Sequence, residues 1–225
     1  MSTERFFSAH WTALAHDLPA ELAEHLDRER AELRALLAAH GHGAVIEAGC
    51  ADGSLMWPVA RDLGLPYFGV DLAAEAVARL RPDLPPGSLA VAGDVVDLPR
   101  LLAAEGWRPG GRVLAVLPFN LVGILPDPGR ALLAVADAGA DVLVLAYRQS
   151  AAVRAVRARY FERCGLAGAF TEDERGQHFR APGYTSSALR PEIVKKMIAE
   201  AGFQVTEEGR YGLYGLSLEG LPAGT

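Results

Sequence analysis

Three acidic residues each close a short apolar run. Glu47 ends Val45-Ile46-Glu47, Asp71 follows Phe68-Gly69-Val70, and Asp94 follows Val91-Ala92-Gly93. A carboxylate offers only acceptor oxygens, so it suits hydroxyl and amino donors. At Asp71 such a group can take both hydroxyls of a ribose. At Asp94 it can accept from an adenine amino group. Glu47 leads directly into Ala48-Gly49-Cys50-Ala51-Asp52-Gly53. Glycine in that turn admits a ligand close to the backbone and takes positive φ at little cost. Gly49 and Gly53 also suit a plain turn, and Asp94 also suits the cap of a following helix. Three strand-tip acids after one glycine turn are much rarer than any of these features alone. Cys50 reads as a small packed residue, because no histidine lies near it in sequence.

The elements that must hold these residues follow from hydrophobic spacing. Short apolar runs at 44–48, 67–70, 89–92, 112–117 and 141–147 read as buried strands. Helical stretches at 55–63, 72–80, 96–103, 129–138 and about 149–163 alternate with them. That alternation implies parallel strands with crossover helices on both faces. Ligands of such sheets bind beyond the carboxyl ends of the strands. Residues 1–40 read as helical, with Phe6, Phe7, Trp11, Leu14 and Leu18 at helical spacing. Pro19 breaks the pattern, with Asp17 as a possible cap. Leu22, Leu26, Leu33, Leu36 and Leu37 then mark a second helix that Gly41 and Gly43 end.

Residues 164–188 interrupt the alternation, and 169–180 reads as a hairpin turning around 173–176. Pro191 opens a last helix. Strands at about 203–207 and 212–218 close the sheet as an antiparallel pair. The fold class is α/β: a Rossmann-like, seven-stranded, mostly parallel sheet with helices on both faces. One domain spans 1–225. It divides into an N-terminal helical lid (1–40), a cofactor-binding core (41–163), a substrate-cap insertion (164–188) and C-terminal helix and strands (189–225).

This set of residues resembles the class I S-adenosylmethionine-dependent methyltransferase family, over about 40–147 and more loosely to the end. The resemblance implies S-adenosylmethionine as cofactor and S-adenosylhomocysteine as product. It places Glu47 near the methionine amino group, often through water, and packs Gly49, Cys50, Ala51, Asp52 and Gly53 against the methionine part. It matches Asp71, with Leu72 beside it, to the ribose acid, and Asp94 with Val95 to the adenine contacts. Leu117-Pro118-Phe119-Asn120 falls at the fourth strand tip, where the family meets both cofactor and substrate. Ala51 departs from the family, which commonly has glycine there. A dinucleotide would need G-x-G-x-x-G. Here Ala51 and Ser54 follow Gly49 at the other two positions, so nicotinamide is the weaker reading.

Methyl transfer is a displacement at an already activated carbon, so the protein mainly supplies position. Metal-dependent catechol O-methyltransferases carry Asp-Asn ligands after the fifth strand; Tyr147-Arg148-Gln149 stands there, and no metal is expected. The [DN]-P-P-[YF] motif for planar amino groups is absent. Pro118-Phe119-Asn120 followed by Gly123, and Gly183-Tyr184-Thr185-Ser186 before the last helix, resemble bacterial small-molecule and peptide N-methyltransferases, including those that modify ribosomal peptide natural products. The resemblance implies an amine on a small molecule or peptide. O- or C-methylation in secondary metabolism and a non-catalytic scaffold remain open.

Candidate catalytic residues are Asn120, Tyr184, His10 and His178; Asn120 also suits a turn. Phe7, Trp11, Phe119, Tyr147, Tyr160 and Tyr184 are substrate candidates or core. Arg154, Arg157, Arg159 and Arg163 read as a solvated helix face.

The totals bound the rest. With 22 basic and 28 acidic residues the net charge is −6, against a general nucleic-acid binder. Two cysteines make neither a disulfide framework nor a zinc motif. No apolar run approaches the ~20 residues of a membrane span. The polar start is unlike a signal peptide, so the expected location is cytoplasmic. The expected assembly is a monomer or homodimer.

Overall fold

Side chains alternate along each central strand and feed two separate cores. The computed structural model describes residues 18–211 and 215–222. Five parallel strands form its centre: β1 (Ala44–Ala48), β2 (Tyr67–Asp71), β3 (Leu89–Ala92), β4 (Val113–Leu117) and β5 (Asp141–Tyr147). Val45, Leu114, Val116, Leu143 and Leu145 face one side. Ile46, Ala48, Ala115, Leu117, Val142 and Val144 face the other. Strands covered on both faces have no solvent side, which explains their unbroken apolar runs.

Helices cover each face. On the first lie α1 (Ala20–His40), α2 (Trp57–Asp62), α3 (Ala74–Leu80) and α6 (Ala151–Arg163). On the second lie α4 (Leu98–Ala104), α5 (Pro128–Asp137) and α7 (Pro191–Glu200). Pro19 is the N-cap of α1, and Gly41 ends it in the left-handed region at φ 64°. Asp17, proposed as that cap, lies outside the described residues, as do His10, Phe7 and Trp11.

The sheet runs β3-β2-β1-β4-β5-β10-β9. Here β9 is Phe203–Tyr211 and β10 is Gly215–Pro222. Strand β10 is antiparallel to both β5 and β9, as the closing pair required. The expected seven-stranded, mostly parallel Rossmann-like sheet is therefore present, with helices on both faces.

The insertion is larger than a hairpin. Strands β6 (Ala169–Asp173) and β7 (Gly176–Ala181) pair as expected, but β8 (Tyr184–Leu189) adds a third strand. It buries Tyr184, Ser186 and Ala188 on one side. Serine at an inward position hides that alternation from a hydrophobicity reading.

Candidate functional site

The carboxyl ends of the parallel strands open into one cleft. Gly49, Ala51, Asp71, Leu72, Asp94 and Val95 line one part of it. The turn after β1 takes the left-handed region at Gly49 (φ 71°) and at Ala51 (φ 45°). Alanine there costs on the order of 1–2 kcal/mol relative to an unstrained residue. Where the family commonly has glycine, Ala51 itself takes the left-handed conformation and bears that strain.

Asp71 holds that turn in place. Its Oδ2 accepts from the Ala51 amide at 2.9 Å and its Oδ1 from the Ala73 amide at 2.8 Å. Burial raises its pKa, and the two amide bonds oppose the shift. Each oxygen keeps acceptor capacity on the cleft side. Asp94 does two things at once: it lines the cleft and caps the next turn, accepting from the Val96 amide at 3.1 Å.

Other expected cofactor residues sit elsewhere. Glu47 is fully buried and does not line the cleft. Its Oε2 accepts from the Tyr67 hydroxyl at 2.5 Å and its Oε1 from the Met56 amide at 3.2 Å. Burial pushes its pKa up to about 8. Cys50, Asp52, Gly53 and Leu117 also lie off the lining. Cys50 packs beneath Gly69, and burial raises its thiol pKa well above the usual value.

Asn120 is a clamp. It is fully buried at φ 61°. Its Nδ2 donates to the Ser187 carbonyl at 3.0 Å and its Oδ1 accepts from the Tyr147 amide at 3.2 Å. Both ends of the amide are used by the protein, tying β4's tip to β5 and β8. The preceding Phe119 is also left-handed, at φ 51°. Two adjacent non-glycine residues in that region mark a strained junction.

The rest of the cleft is aromatic. Phe119, Tyr147, Tyr160, Phe161 and Tyr184 line it beside Ile124 and Leu125. Burial raises the phenol pKa of Tyr147, Tyr160 and Tyr184. His178 is not among these residues. It sits on β7, bonded to Ser187 Oγ and to Asp173 Oδ1, each at 2.8 Å.

Three residues escaped the sequence reading. Arg157, expected on a solvated face, is fully buried. Its guanidinium lies 5.5 Å from the Tyr147 ring centroid and donates to the Ser186 carbonyl at 2.7 Å. Burial lowers its pKa to about 10. The other two are His25 and Glu29. His25 Nε2 lies 3.1 Å from Glu29 Oε1, and both side chains are buried. Glu29 Oε2 accepts from the Phe119 amide at 2.9 Å, and the His25 ring centroid is 5.1 Å from that of Tyr147. Their signal was present: both fall on the stripe of α1 set by Leu22, Leu26 and Leu33. A polar residue on an apolar stripe needs a buried partner.

No protein-family model and no curated protein matches the sequence. Solved structures do match the fold. Magnesium protoporphyrin IX methyltransferase from Synechocystis PCC 6803, with bound S-adenosylhomocysteine, is 14% identical at TM-score 0.64, covering 98% of each chain. The CcbJ methyltransferase from Streptomyces caelestis is 17% identical at TM-score 0.58, covering 93% of this chain and 92% of its own. The glycopeptide N-methyltransferase MtfA, complexed with S-adenosylhomocysteine, is 16% identical at TM-score 0.56, covering 86% of each. This chain has the fold of S-adenosylmethionine-dependent methyltransferases.

Proposed function

We propose that this chain is an S-adenosylmethionine-dependent methyltransferase acting on a small molecule or peptide. The observation that carries the reading is the cleft at the ends of β1–β3. There the Asp71 carboxylate, braced by the Ala51 and Ala73 amides, faces the same space as Gly49 and Asp94. Acceptors at Asp71 and Asp94 suit a ribose and an adenine amino group, and the Gly49–Ala51 turn exposes backbone to the ligand. Those residues fit the cofactor, which when bound supplies a methyl group on a positively charged sulfur. Glu47 holds the base of the turn through Met56 and Tyr67. The matching folds of enzymes crystallised with S-adenosylhomocysteine support the same assignment.

The acceptor end favours an amine. Apart from Asp71 and Asp94, the ionisable groups among the described lining residues are Tyr147, Tyr160 and Tyr184. Their phenols, with pKa values raised by burial, are poor proton acceptors at neutral pH. With no base among the described lining residues, the chamber suits an amine that has lost its proton before binding. The aromatic walls favour an apolar or aromatic body around that amine.

One observation favours a hydroxyl acceptor instead. The Glu29–His25 pair stands directly behind Phe119 and Tyr147, off the cleft lining, and would act on a hydroxyl proton only through a bridging water. A pH–rate profile that loses its rising limb in His25→Asn would select that reading.

The test is calorimetric titration with S-adenosylhomocysteine, with NAD as control and Asp71→Ala as the variant. Binding of S-adenosylhomocysteine alone, lost in the variant, is expected. Binding of NAD instead, or of neither, overturns the proposal.

A further inference from the structure

Far from the cleft, at the opposite end of the sheet, lies a second group of ligating side chains. Glu219 on β10 pairs with Leu143 near the start of β5 and with Glu207 on β9. The register shifts between Glu219 and Gly220, and such a bulge re-aims the neighbouring side chains. Leu218 belongs to the second core, so Glu219 points to the face that carries α1. His40, the last residue of α1, meets it there. His40 Nε2 stands 3.6 Å from Glu219 Oε2. One ligand atom from each of His40, Glu207 and Glu219 lies within 4.8 Å of the others.

Glu219 is only 2% exposed, and neither carboxylate oxygen has a hydrogen-bond partner among the described residues. A buried carboxylate without compensation is costly. Arg112 lies beside this group, but its Nη2 donates to Asp141 at 2.6 Å and its Nη1 to the His40 carbonyl at 3.2 Å. His42 is likewise paired with Asp141, at 2.8 Å. Arg112 and His42 are thus engaged by Asp141 and the His40 carbonyl, and Glu219 faces His40 across a gap longer than a hydrogen bond.

We propose that His40, Glu207 and Glu219 form a site for a divalent first-row transition ion, with Zn2+ the best fit. One imidazole nitrogen and two carboxylates suit that ion, and magnesium or calcium would call for oxygen ligands throughout. Bonds of roughly 2.0–2.1 Å in a tetrahedral array set ligand atoms ~3.3 Å apart. The His40–Glu219 separation is already close to that, and the exposed Glu207 side chain closes the remainder by rotation. His40 is partly exposed, which leaves an open side for water as the fourth ligand. The ion would pin the end of α1 to the β9–β10 edge. The competing account is a protonated His40 acting as a simple counter-charge to Glu219.

The experiment uses tag-free, chelator-treated full-length protein, titrated with Zn2+ by calorimetry and with Co2+ by visible absorption. One saturable equivalent, a raised melting temperature and a tetrahedral-type Co2+ spectrum are expected. Glu219→Gln and His40→Asn should each weaken Zn2+ binding at least ~10-fold while keeping the wild-type circular dichroism. His40 sits at a partly exposed helix end, so His40→Asn decides the matter if Glu219→Gln does not fold. No saturable equivalent, or unchanged affinity in His40→Asn, overturns the site and leaves the simple ion pair.

Discussion

The Tyr67 hydroxyl donates to Glu47 Oε2 across 2.5 Å, inside the core, from the start of β2 to the end of β1. The parallel register sets Val45 opposite Tyr67, which brings Glu47 and Tyr67 to the same face of the sheet. The acid that introduces the turn is thus held from within the protein. Its contribution to the cleft is to fix the path from β1 through Met56.

This buried acid predicts a pH-dependent stability. Its pKa rises from 4.5 in the unfolded chain to about 8 in the fold. Between those values the folded state keeps a proton that the unfolded state has lost. Stability from this group is complete below pH 4.5 and declines as pH rises toward about 8. The slope reaches about 1.4 kcal/mol per pH unit. Thermal melts across this range should show the decline in the wild type and a flattened dependence in Glu47→Gln. An unchanged slope would place the effect in another group.

Asp71 should divide into two measurable roles. Asp71→Asn keeps one acceptor for the backbone amides but removes the charge. It should cost about 1–3 kcal/mol of stability, because its NH2 meets one backbone donor, and weaken S-adenosylhomocysteine binding at least ~10-fold through the lost charge. Calorimetry beside a melting curve separates the two. Equal binding by Asp71→Asn and wild type would remove Asp71 from the cofactor contacts.

The Asn120 clamp should matter more for folding than for chemistry. Asn120→Ala deletes bonds to Ser187 and Tyr147 and leaves a residue poorly suited to φ 61°. A loss of about 2–4 kcal/mol is expected in denaturant unfolding. Gly123→Ala should be at least as damaging, because a Cβ there would stand 1.9 Å from the Ser187 carbonyl oxygen. Wild-type stability in both variants would contradict the clamp.

Arg157 is expected to behave as a core residue. Arg157→Ala empties the space against Tyr147, Phe161 and Phe170 and strips the Ser186 carbonyl of its donor. A cost of about 3 kcal/mol is expected, with Arg157→Met, which keeps the volume, costing less. Equal melting temperatures for Arg157→Ala and a surface control such as Arg154→Ala would contradict this placement.

Hydrophobic periodicity by itself determined the order of the main sheet's strands and of its helices, because the two-residue and 3.6-residue repeats are local properties of the chain, while β8 escaped it. The strand-tip acids Asp71 and Asp94 were legible for the same reason: a residue at the end of a parallel strand has its place in the cleft decided by the strand. Tertiary structure alone decided which polar side chains became internal. Glu29 reaches the Phe119 amide 90 residues away, and Asn120 reaches Ser187 across 67. Arg157 turned from an apparent surface residue into a core cation because β7 and β8 brought carbonyls to it. His40 and Glu219 meet only because the last strand runs antiparallel between β5 and the edge strand β9. A buried polar group is stable only with a partner, and a partner distant in sequence is supplied by the fold.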